Sequence, residues 1–82
     1  SSKEEECELI YQHYENFLYK NYQERRKKHE TDDHFIDRLK HNQQIPEDKL
    51  KDILRFIDGY RLRRFAGDTS VNLEPLLQTL KK

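Results

Sequence analysis

The sequence predicts an all-α protein, a small bundle of about four helices. Three observations lead there. Apolar residues recur at steps of three and four, and nothing alternates with the period of two that a strand needs. Capping residues, Pro46 and Gly67 cut the chain into four such segments. None of the segments is apolar on all sides, so each must share its apolar stripe with the others.

The first element is expected from Lys3 to about Arg25, a stretch of good helix formers without proline or glycine. Cys7, Tyr11, Tyr14, Leu18 and Tyr22 form its apolar stripe, with Ile10 and Phe17 beside them. Glu4, Glu5 and Glu6 complement the positive end of the helix dipole. Arg25, Arg26, Lys27 and Lys28 are read as the cation-rich terminus at the other end.

Thr31, Asp32 and Asp33 are all able to cap a second, short helix that carries Phe35, Ile36 and Leu39 and ends near His41. After the polar link Asn42-Gln43-Gln44, Pro46 suits the first turn of a third helix, followed by Glu47 and Asp48. Leu50, Ile53, Leu54, Ile57 and Tyr60 are its expected inner face. Gly59 lies within that pattern, costs about 1 kcal/mol against alanine, and marks close packing or a bend. Ala66-Gly67-Asp68 ends the helix. Pro75 is tolerated only in a first turn, which favours Asn72 over Thr69 or Ser70 as the cap of a last helix with Leu73, Leu76, Leu77 and Leu80.

The chain has 82 residues, which sets one domain at most, expected to bury roughly 60–65% of its unfolded surface. Sixteen basic residues balance sixteen acidic ones, and a grip on polyanions usually shows a positive excess. A lone Cys7 allows no internal disulfide and fits a reducing compartment. No apolar run approaches the roughly 20 residues that cross a bilayer. Without any methionine the chain is expected to be a piece of a longer protein, and Ser1-Ser2 a linker remnant or cloning scar.

Candidate chemistry is sparse. Cys7 and His13 are six apart on one helix and do not face each other, so a nucleophile–base pair is disfavoured against a buried apolar cysteine. His34, Asp37 and His41 are spaced to share a face, but no Glu-x-x-His partner on another helix joins them as metal ligands. Asp32-Asp33 and Glu47-Asp48 all stand at helix starts, where capping accounts for them. No enzyme activity and no cofactor are expected.

The segment GYRLRRFAG raises one sharp choice. Arg64 is four residues after Tyr60 and falls on the inner face, Arg61 is borderline and Arg63 falls off it. A structural arginine would lay its stem on apolar neighbours and send its guanidinium to an acid or to helix-end carbonyls. A single-stranded nucleic-acid site would instead need outward aromatics among the cations, whereas Tyr60 points with the core leucines.

Three segments in order carry a resemblance. LIYQHYENFLYKNYQERRKKH resembles an opening helix with a central aromatic and a basic end. ETDDHFIDRL resembles a Glu-Thr-Pro-x-Glu-Phe-x-x-Arg-Leu motif, matched at Glu30, Thr31, Phe35, Arg38 and Leu39. DGYRLRRFAG resembles a Leu-Tyr-x-x-x-Arg-Tyr-Gly motif, matched at Tyr60 and Arg64 with Phe65 for its second tyrosine. Together they are similar to the C-terminal domain of unknown function of bacterial membrane-anchored transglutaminase-like proteins, related to the tails of aerotolerance-type membrane proteins. The chain departs from the pattern at Asp32, His34 and Gly59, and the last departure bears on packing at the end of the third helix.

The resemblance implies a cytoplasmic module of a larger inner-membrane protein, whose catalytic residues would belong to a separate domain. The expected function is a non-catalytic module that docks a protein partner. The competing expectation is nucleic-acid or anionic-membrane binding through residues 25–28 and 61–64, led by Arg25, Arg26, Lys27, Lys28, Arg61 and Arg63. That alternative requires the two basic segments to converge on one face and binding to weaken steeply with salt.

Overall fold

The computed structural model describes residues 3–82, and Ser1-Ser2 lie outside them. Four helices follow in order: α1 (Lys3–Tyr22), α2 (Asp32–Lys40), α3 (Glu47–Arg64) and α4 (Leu73–Lys81). This is the all-α bundle that the apolar spacing predicts. None of the helices is long and apolar enough to cross a membrane.

Helix α3 is the central element, touching the other three. Tyr11 stacks on Tyr60 at 4.3 Å and Tyr14 on Phe56 at 4.4 Å, so α1 and α3 run antiparallel. At the other side, the Lys49 ammonium near the start of α3 donates to the carbonyls of Leu80 and Lys82 at the end of α4, at 2.8 and 3.1 Å. Helix α4 therefore also runs against α3, with a lysine satisfying two of its last carbonyls.

The core joins Cys7, Tyr14 and Leu18 of α1, Phe35 and Leu39 of α2, Ile45 of the link, Ile53 and Phe56 of α3, and Leu73, Leu77 and Leu80 of α4. The inner face of α3 is wider than its expected one. Ile53 is buried and Leu50, Ile57 and Tyr60 pack half-buried against the core as expected, Leu54 lies outside it, and Phe56 and Gly59 are buried as well. The face is wide because α3 has neighbours on more than one side and turns its middle to both α1 and α4. Gly59 marks close packing. A Cβ there would lie 2.7 Å from Leu76 Cδ1 and 3.4 Å from Leu73 Cδ2.

The end of α1 is a second correction. The helix stops at Tyr22 rather than near Arg25, and Gln23 turns the chain with φ 54, in the left-handed region. Its N–H still reaches the Tyr19 carbonyl at 2.9 Å. Residues 25–28 are thus a loop and not a helix terminus, and the dipole argument for their charge does not apply. The other boundaries follow their caps. Thr31 accepts the His34 N–H at 3.1 Å and Asn72 accepts that of Glu74 at 3.2 Å.

Candidate functional site

The densest polar arrangement lies where the loop after α1 meets α2. Arg38 is on the α2 face that Phe35 and Leu39 bury, one turn from Phe35, and its guanidinium lies 5.0 Å from that ring. From there it grips Glu30 with two parallel bonds, Nε to Oε2 at 3.1 Å and Nη2 to Oε1 at 2.8 Å. Two-pronged pairing of this kind holds both distance and direction. Its Nη1 also pairs with Glu24, and Nη2 donates to the Arg25 carbonyl at 3.0 Å.

Both glutamates are buried. Glu24 has a second donor, the Asn42 amide at 2.8 Å, and Glu30 takes the Lys27 N–H at 2.9 Å. The Arg38 bonds, followed by that backbone bond, hold the Glu30 carboxyl well below its usual range, at about 2. The matched motif thus has a physical reading. Glu30 and Arg38 close an ion pair, Thr31 caps the helix between them, and Phe35 and Leu39 bury its inner face. Glu24 was not singled out from the sequence. Its signal was there, since it is the sole acid between Glu15 and Glu30 and stands immediately before the basic run.

The consequence is a loop fastened at both ends, Glu24 and Glu30, with Arg25, Arg26, Lys27, Lys28 and His29 exposed between them. Arg25 lies 4.4 Å over the Tyr19 ring. Arg26 donates to the Glu30 carbonyl at 3.2 Å and stands 3.6 Å from Asp32. The ammonium groups of Lys27 and Lys28 make no ion pair among the described residues.

The cations of the second segment are differently placed. Arg61 stands 3.5 Å from both Asp32 and Asp33, joining α3 to the start of α2. Arg63, expected off the inner face, donates to the carbonyls of Val71 and Thr69 at 2.9 and 3.3 Å and so holds the α3–α4 connection. Arg64 sits at the margin, not under the core, 3.3 Å from Glu8. The Tyr60 hydroxyl donates to the same Glu8 oxygen at 2.9 Å. Burial, and then the nearby carboxylate, push the Tyr60 phenol above its ordinary range. Phe65 is exposed, its edge to Tyr60 with centroids 6.3 Å apart. The two basic segments do approach each other, Arg26 and Arg61 meeting at Asp32, but they meet on a carboxylate.

Cys7 is buried and His13 exposed, and burial pushes the Cys7 thiol up, away from a reactive thiolate. The histidines of α2 and of its C-cap, His34 and His41, diverge. His34 turns to Glu30, with its Nδ1 3.3 Å from Oε2, and His41 to the Asp37 carbonyl at 2.8 Å. Among the described residues no group of three or more His, Cys, Asp or Glu is placed to hold a metal ion. Compared with known proteins, the chain matches no family model, no curated protein and no solved structure.

Proposed function

We propose that the chain is a non-catalytic interaction module that docks an acidic segment of a partner protein on the loop between α1 and α2. One observation carries this reading. Four consecutive cations stand exposed on a backbone whose two ends are tied into the fold by buried carboxylates. A loop ordered in advance loses less entropy on binding than a free one, so its charges are worth more to a partner. The placement of the module, on the cytoplasmic side of a bacterial inner-membrane protein, comes from the family resemblance alone.

The test is a pull-down with the chain as bait, run in parallel with Lys27→Glu/Lys28→Glu. An acid-rich protein retained by the first and lost by the second is the expected result. Recovery of no protein at any salt concentration, with robust hydrolase or transferase turnover by the chain, would overturn it.

A polyanion grip is the second reading, favoured by the approach of Arg26 to Arg61 and by the Arg25–Tyr19 stack. It expects binding to DNA, RNA or anionic vesicles that falls steeply as salt rises. The commitment of Arg61, Arg63 and Arg64 to acids and carbonyls of the fold weighs against it.

A further inference from the structure

Helix α1 leaves one long face largely exposed, touched at its ends by Arg64 beside Leu9 and by Arg25 over one side of the Tyr19 ring. Leu9, Gln12, Asn16 and Tyr19 lie along it at steps of three and four, and all are exposed. Leu9 keeps 55% of its surface and Tyr19 51%, which is high for large apolar groups in a chain this polar. A shallow depression of about 610 Å³ opens beside Leu9, lined by acids of the first turns, Gln12 and Arg64.

The face has a register that reads the same in both directions. In heptad terms Leu9 and Asn16 take one seam position, Gln12 and Tyr19 the other, and Glu6 and Lys20 flank the seam on the same side. Two such helices laid antiparallel place Leu9 against the other copy's Tyr19 and Gln12 against its Asn16. The same register brings Glu6 to Lys20, and the twofold axis makes every pair occur twice. An isologous contact requires this self-complementarity of one patch.

We propose that two copies of this chain pair through α1 in this antiparallel register. Tyr19 of each copy fills the depression beside Leu9 of the other. The polar centre and the area of a single helix pair place the contact in the weak, reversible class. The proposal does not depend on the basic loop as a docking surface.

Sedimentation velocity of the whole chain over a wide concentration range tests it, using charge reversals on exposed side chains that leave the core intact. Wild type is expected to self-associate reversibly. Glu6→Lys and Lys20→Glu should each weaken association roughly tenfold, because two exposed pairs per dimer change from attraction to repulsion. The double variant Glu6→Lys/Lys20→Glu should regain wild-type association, since an antiparallel pairing then faces each new lysine with a new glutamate. A parallel pairing would set Glu6 level with Glu6 and Lys20 with Lys20, so neither single reversal would weaken it; single variants that associate as tightly as wild type, or a double variant that does not recover, overturn the proposal. So does a wild type that stays monomeric throughout, which would leave the face to a different chain.

Discussion

Arg38 answers two carboxylates, and the consequences separate by pH. Glu30 carries a pKa of about 2 in the folded chain against its usual 4.5. Its pairing therefore contributes fully above pH 4.5 and is lost as the pH falls from there towards about 2. Denaturant midpoints measured across this window should fall more for wild type than for Glu30→Gln, which has already lost the charge. Removing the cation leaves two buried anions without it, so Arg38→Ala should lower the melting temperature far more than Arg55→Ala. Among the described residues Arg55 has only Asp52, three residues earlier on the same helix at 3.6 Å, and is itself exposed. Tyr14 makes the opposite case. Its hydroxyl is buried and has no partner among the described residues. Tyr14→Phe keeps the stack on Phe56 and should raise stability by about 1 kcal/mol, read from chemical denaturation.

At the scale of elements, two junctions carry the fold beyond its apolar stripes. Gln23 holds a left-handed backbone that costs an L-residue roughly 1–2 kcal/mol and glycine much less. Gln23→Gly should therefore raise the denaturation midpoint slightly, and Gln23→Val should lower it. Gly59 is the meeting point of α3 and α4. A valine there would push aside the tip of Leu76 and press on Leu73 and should cost about 1 kcal/mol, with faster amide hydrogen exchange along α4 than along α1. The existence of all four helices was legible in the spacing of leucines and aromatics, and their caps at Thr31 and Asn72 in residue type. The end of α1 was not, because residues 23–28 are acceptable helix formers and it is tertiary contacts, Glu24 and the Arg25 carbonyl on Arg38 and the Lys27 N–H on Glu30, that hold them away from the helix. Phe56 was likewise hidden, since a helix packed on two sides does not show a single stripe.

For the whole molecule, a formal charge of zero conceals an uneven distribution. The acids of the first turns and the cations of residues 25–28 stand at opposite ends of α1, about 30 Å apart for a helix of 20 residues. They cannot neutralise each other within one copy. The candidate site was legible in part. Glu30, Thr31, Phe35, Arg38 and Leu39 stood out as a motif, but their joint work of fastening a loop required Glu24 and the fold. The arginines at 61–64 read as three differently facing groups in the sequence, and their partners differ too: Asp32 and Asp33 for Arg61, the carbonyls of the α3–α4 connection for Arg63, and Glu8 for Arg64.

The docking role of the fastened loop is tested most directly by titrating the chain with a glutamate-rich peptide while its backbone amide resonances are followed. The account predicts shifts concentrated at Arg25–His29, abolished by Lys27→Glu/Lys28→Glu, with Gly59 and the core amides unmoved. Shifts centred on residues 61–65, or none at all alongside tight binding to DNA or anionic vesicles, would contradict it.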